Sequence, residues 1–169
     1  RRWPGEAVEP RVGLAAGACT VLVERFDATA SARLAHERGV TVLAGVPVMF
    51  RDWANLDPVA APPDTFASVR LAVSGAAPLP AEVATSFRDR YRLVLHQGYG
   101  LTEASPLTHA QPKDASLVRL ESIGMPTHNT EQKFVDIETG ERELPVGQDG
   151  ELILRGPQVM KGYWKAPDD

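Results

Sequence analysis

The strongest constraint on this chain is a repeated alternation of short apolar runs with helix signals. Cys19–Val23, Val40–Ala44, Val69–Val73 and Leu93–Leu95 have strand length and β-rich composition. Between them, Asp27 is placed to cap a helix over Ala28–Arg38, with Gly39 as its stop signal. Pro47 suits the first turn of a second helix reaching Leu56, and a third is predicted from Pro80 to Arg90. The prolines between Asp57 and Thr65 mark a loop. Strand and helix in repetition predict an α/β fold with a mainly parallel sheet flanked by helices.

Sheets of this kind bind ligands beyond the carboxyl ends of their strands. Three loops leave those ends: Gly45–Pro47, Ser74–Pro78 and Gly98–Glu103. They are predicted to meet at one crevice. After about Glu121 the helical period disappears. Gln132–Ile137 alternates in part, turns follow at Glu138–Gly140 and Gly147–Gly150, and Glu151–Leu154 reads as a strand. The chain therefore divides into an α/β portion, residues 1–121, and a small antiparallel β unit (a partial barrel), residues 122–169.

Charge and composition exclude several classes of function. The net charge is −4, with acids and bases intermixed, which gives no electrostatic grip on nucleic acid or on an anionic membrane. No apolar run is long enough to span a bilayer. A single cysteine, Cys19, excludes an internal disulfide, fits a reducing compartment such as the cytoplasm, and reads as a small buried hydrophobe. Arg1-Arg2 and the run Leu14–Cys19 faintly resemble an export signal, but Pro4, Glu6, Glu9, Pro10 and Arg11 interrupt any apolar core. The first residue is not Met and the last are Pro167-Asp168-Asp169, so the expectation is a piece of a longer protein.

Common catalytic patterns are missing from the sequence. No Cys or His cluster has metal-ligand spacing, and His36, His96, His109 and His128 are scattered and read as structural or solvated. Ser74 follows a strand as a hydrolase nucleophile would, but Ala72 stands where that elbow needs glycine. Neither a G-x-x-x-x-G-K-[ST] phosphate loop nor a G-x-G-x-x-G fingerprint is found.

What remains is Gln97-Gly98-Tyr99-Gly100-Leu101-Thr102-Glu103. Glycines allow a tight turn and close approach of a ligand. Tyr99 offers a flat face to a planar ligand. Thr102 can donate to a phosphate oxygen and Glu103 can hold a hard cation such as magnesium. Each residue also has a structural reading. Tyr99 can be a core aromatic, Glu103 a helix cap, Ala76 and Ala77 small residues for close packing, and Gln97 a scaffold residue.

These segments resemble the adenylate-forming enzymes, and among them the acyl-CoA synthetases. Gln97–Glu103 is similar to that family's adenylate-binding motif, and Ser74-Gly75-Ala76-Ala77-Pro78-Leu79 to its adenine-contacting segment. Gly150–Gly156 and then Val159–Trp164 are similar to its β segment. Arg25-Phe26-Asp27 and Gly45-Val46-Pro47 are weaker matches in the right order. The resemblance runs from about Ala15 to the end.

The resemblance implies ATP-dependent activation of a fatty or aryl carboxylic acid as acyl-AMP, with transfer to coenzyme A. It implies ATP/AMP and Mg2+ as further ligands. Thr102 and Glu103 would be catalytic, Glu103 through magnesium and Thr102 on the α-phosphate. Tyr99 would pack on adenine, with Gly75, Ala76 and Ala77 on its other side. Gln97, Gly98 and Gly100 would complete the nucleotide site, Gln97 at the adenine edge. Val46, Gly98 and Ser105 would border the acyl pocket.

The family's lysine-bearing phosphate loop, its ribose-binding Asp and its C-terminal catalytic lysine have no counterpart here. A chain without them is expected to bind nucleotide weakly at most and not to complete the reaction. An amino-acid-activating domain, in which a carrier protein is the acceptor, and a non-catalytic nucleotide-binding relic are the alternatives. Gln97-Gly98 before the tyrosine favours the CoA-ligase form.

Overall fold

The computed structural model describes residues 15–165. Its first ordered unit alternates as the sequence predicts: α1 (Ala28–Glu37), β1 (Val42–Gly45), α2 (Pro47–Ala54), β2 (Leu71–Ser74), α3 (Ala81–Tyr91) and β3 (Leu95–Gly100). Then come β4 (Leu107–Ala110), β5 (Met125–Pro126), β6 (Glu131–Val135) and β7 (Glu151–Arg155). One sheet has the order β1-β2-β3-β4-β5 and a second joins β6 to β7. Pairing is parallel from β1 to β3 and antiparallel from β3 to β5 and within β6–β7.

Local chemistry accounts for the helix limits. Asp27 accepts the Ala30 N–H at 2.7 Å, and Gly39 follows the first helix at φ +58°. Pro47 opens α2. α3 ends without glycine: Arg92 takes the left-handed conformation at φ +58° and closes the helix on the Arg88 carbonyl.

Register explains where the core sits. Leu43, Ala72 and Leu95 lie side by side across β1, β2 and β3, and all three are buried. The helices cover that face with Phe50, Trp53, Phe87 and Tyr91, joined by Phe66 from the loop. Phe50 and Phe87 meet edge to face at 5.1 Å, as do Phe66 and Tyr91 at 4.8 Å. Each such ring contributes about 1.5–3 kcal/mol when fully buried. The Tyr91 hydroxyl donates to the Trp53 carbonyl at 2.7 Å, and burial raises its pKa above the usual phenol value. Arg90 spans the helix layer by donating to the Ala54 and Ala61 carbonyls, both at 2.9 Å.

Two sequence expectations fail. Cys19–Val23 forms no strand: Cys19 is exposed and Leu22 is 78% exposed, so neither a strand nor a buried thiol lies there. An apolar run becomes a strand only where a neighbour completes its hydrogen bonds, and no described strand does so. The strand expected at Leu93–Leu95 begins at Leu95 and continues to Gly100. Half of the expected loop Gly98–Glu103 is thus strand. The antiparallel partner β4 extends the ladder, with an irregularity between Tyr99 and Gly100.

The β6–β7 hairpin pairs Glu131 with Arg155 through to Val135 with Glu151, and Val135 is fully buried. Beyond it, Asp136 accepts the Thr139 N–H at 3.0 Å and the Arg142 guanidinium at 3.2 Å. The Thr139 hydrogen bonds, with Arg142 behind them, hold the Asp136 carboxyl below the usual carboxylate range. Among the described residues, no helix is long and apolar enough to cross a membrane.

Candidate functional site

The carboxyl ends of β1, β2 and β3 are brought together by register. Gly45, Ser74 and Gln97 form one row across the parallel strands. Just beyond it, the Gly75 N–H donates to the Gly45 carbonyl at 3.0 Å. A Cβ on Gly75 would stand 3.6 Å from the Gly98 carbonyl. The three loops therefore meet, as the strand–helix pattern predicts.

Ala76 and Ala77 are exposed, and Ala76 adopts φ +64°. A methyl is the only side-chain group at each, so the polar chemistry of this segment is main chain. Ser74 is fully buried and its Oγ has no hydrogen-bond partner among the described residues. It is not presented at the surface as a hydrolase nucleophile is.

Gln97 is buried. Its Oε1 accepts the Leu79 N–H at 3.3 Å, and its own N–H donates to Gln111 Oε1 at 2.9 Å. Gln111 further donates to the carbonyls of Arg119 and Ser122. This buried amide pair fastens the Gly75–Leu79 segment and the Arg119–Ser122 turn to β3. Gln111 lies outside every motif, so only its burial with a full set of partners reveals its role.

Tyr99 is half-buried, with its ring edge against His109 at 5.8 Å and an interplanar angle of 62°. His109 is buried and bonds to the Thr108 hydroxyl at 3.0 Å and to Gln132 Oε1. That chain links the ring to the β6–β7 hairpin. The flanking glycines answer to β4 and its approach. A Cβ on Gly98 would lie 3.2 Å from Leu107, and one on Gly100 would lie 1.8 Å from the Pro106 carbonyl. Only glycine fits at position 100.

Thr102 and Glu103 sit in a 3-10 turn, Thr102–Ala104, closed by Ala104 N–H to Leu101 O at 3.0 Å. Thr102 is exposed and Glu103 half-buried; Ser105, at φ +56°, ends the turn. Glu103 caps no longer helix. Its carbonyl accepts the Met160 N–H at 2.7 Å, and its carboxylate accepts the Tyr163 hydroxyl. Sequence reasoning places Met160 and Tyr163 within the segment similar to the family's β segment and gives neither a part in the site.

Among the described residues, no group of three His, Cys, Asp or Glu side chains could hold a metal alone. Magnesium bound to nucleotide phosphates needs only one or two protein carboxylates. Glu103 supplies one such carboxylate, on the turn that follows β3. Glu103 fits that role.

The profile of the family described as "AMP-binding enzyme" matches residues 6–164. A 4-coumarate–CoA ligase of Pinus taeda is 38% identical over 159 residues, covering 92% of this chain and 29% of that protein. A feruloyl-CoA synthase of Amycolatopsis is 33% identical over 158 residues, covering 90% and 30%. The crystal structure of ATP-bound MatB from Rhodopseudomonas palustris superposes with a TM-score of 0.84 at 28% identity, over 95% of this chain and 30% of that one. The chain thus spans under a third of the length of these relatives. With a match that covers most of its length, this chain belongs to the AMP-binding enzyme family.

Proposed function

We propose that this chain is the central part of the large domain of an ATP-dependent acid–CoA ligase. The parent enzyme activates an aryl or fatty carboxylic acid as acyl-AMP, releases pyrophosphate and transfers the acyl group to coenzyme A. The observation that carries this reading is the meeting of Gly75–Ala77 with the β3 end at one crevice. Relatives named for 4-coumarate and ferulate favour an aryl acid over a fatty acid. They also favour coenzyme A over a carrier protein as acceptor.

The chemistry assigns the roles. A carboxylate attacking a phosphate meets charge repulsion, which positioned donors must offset. Tyr99 packs against adenine and the main chain of Gly75, Ala76 and Ala77 lines the other side. Gln97 serves this site by holding Leu79, and Gly98 and Gly100 let β4 close beside the ring. Thr102 donates to the α-phosphate. Glu103 is the residue that would hold magnesium, which when bound supplies positive charge against the phosphates. Val46, Gly98 and Ser105 border the acid. A single cysteine without an internal partner supports a reducing, cytoplasmic setting.

The test is ATP–pyrophosphate exchange by the full-length protein with 4-coumarate, ferulate, benzoate and medium-chain fatty acids, followed by thioester detection with coenzyme A. Acid-dependent exchange and a CoA thioester are expected. Exchange with amino acids alone, or with no acid, would overturn the reading.

A further inference from the structure

The ligand turn is held from outside its own unit. Thr102–Ala104 is a single short turn, and a glutamate side chain on it must give up rotamer freedom to be held in one place. The segment that contacts it, 156–163, comes from the far end of β7. That segment is tied down by Val159 N–H to Gly156 O at 3.1 Å and by Gln158 Nε2 to Thr130 Oγ1 at 2.6 Å. Gly162 stands at φ +136°, a conformation that favours glycine, immediately before Tyr163. The strap then meets Glu103 at two points. Met160 N–H donates to its carbonyl at 2.7 Å, and Tyr163 O–H donates to its carboxylate.

We propose that Tyr163 is a positioning residue for nucleotide activation: it orients the Glu103 carboxylate at the crevice and couples the β unit to the ligand turn. The proposal rests on reading Glu103 as the carboxylate that faces the metal–phosphate group. Tyrosine suits the task. It carries few rotatable bonds, and its hydroxyl binds one carboxylate oxygen without adding charge that would compete with a cation. The Met160 bond fixes the main chain of the turn, and the hydroxyl fixes the side chain. Loss of the hydroxyl therefore removes one restraint on the carboxylate while the Met160 bond still holds the turn.

The experiment is a double-mutant cycle in the full-length enzyme with Tyr163→Phe, Glu103→Gln and both together. Acyl-adenylate formation and hydrogen–deuterium exchange over residues 101–106 and 157–164 are both read. Tyr163→Phe is expected to slow adenylation roughly 10-fold, the size of one hydrogen bond to a charged group. The KM for the acid should hold, while the magnesium concentration for half-maximal rate rises. Exchange over 101–106 should rise, with the melting temperature within a few degrees of the parent. On the Glu103→Gln background, Tyr163→Phe should add little further loss. Wild-type adenylation by Tyr163→Phe, or losses that simply add, would overturn the proposal even where Glu103→Gln confirms the role of Glu103. If Glu103→Gln itself adenylates normally, the underlying reading of Glu103 fails and the positioning role falls with it.

Discussion

Gln97 Oε1 accepts the main-chain N–H of Leu79 at 3.3 Å, so one buried amide joins the end of β3 to the segment that follows β2. Both ligand segments of the crevice meet at this bond. The sequence suggests an adenine contact for Gln97, whereas its side chain is directed to a scaffold partner. On the proposed reading the position bears on nucleotide binding, because it sets where Gly75–Ala77 lies relative to Tyr99.

Gln97→Leu should therefore weaken nucleotide binding without removing any atom that touches nucleotide. The Leu79 N–H would be left buried without its acceptor, at a cost of about 1–3 kcal/mol. We expect a lower melting temperature and an AMP affinity reduced several-fold, measured by thermal unfolding and AMP titration of the same sample. Unchanged affinity with lowered stability would limit Gln97 to a purely structural role.

Gly100→Ala should be among the most damaging glycine substitutions. The added Cβ would sit 1.8 Å from the Pro106 carbonyl, and a main-chain atom cannot swing away as a flexible side chain does. Backbone displacement of this kind costs at least about 1–3 kcal/mol. Gly140→Ala is the control: its φ of +67° is strained for alanine, but among the described residues nothing lies within 4 Å of the added methyl. Urea unfolding should rank Gly100→Ala well below Gly140→Ala.

The turn after β6 should carry an acid-sensitive part of the stability. Asp136 has a folded pKa depressed below that of an ordinary aspartate, through Thr139 and then Arg142. A depressed carboxylate contributes stability above its unfolded pKa, and that contribution is lost as pH falls through the folded value. Asp136→Asn should flatten the acid limb of the stability–pH curve below about pH 4 while leaving the curve's shape near pH 7 intact. NMR titration of the Asp136 carboxyl should give a midpoint below that of an unstructured aspartate.

Much of the α/β portion is legible because its signals are local. Asp27, Gly39 and Pro47 act within one helical turn, and the alternation of elements dictates the parallel pairing of β1, β2 and β3. Cys19–Val23 shows the limit of composition. The run has the residues of a strand and lacks a partner to complete it. The shift of β3 to Leu95–Gly100 has a related origin: its extension depends on β4, and nothing near Gln97 announces that pairing. Gly98 and Gly100 are visible in the sequence, but the contacts that demand them, Leu107 and Pro106, are not. Within the proposed site, Tyr99 and Glu103 are the candidates that residue type and spacing point to. Gln111 and Tyr163 act at sequence separations of 14 and 60 residues, where no periodicity reaches.

Glu103→Gln in the full-length enzyme separates the chemical role of this residue from its structural one. Glutamine retains the size and an oxygen that accepts the Tyr163 hydroxyl, and the Met160 bond to the main chain is untouched. The turn should therefore keep its place and the melting temperature should change little. If the residue only secured the turn, turnover would survive as well. As the carboxylate facing the metal–phosphate group, its loss should slow acyl-adenylate formation by more than about 100-fold, since neutralising developing phosphate charge is worth several kcal/mol. Thioester formation from pre-made acyl-adenylate should suffer far less, because no pyrophosphate leaves in that step. Raising magnesium should recover part of the first rate and none of the second. A Glu103→Gln enzyme that folds, adenylates at the parental rate and ignores magnesium concentration would remove Glu103 from the mechanism.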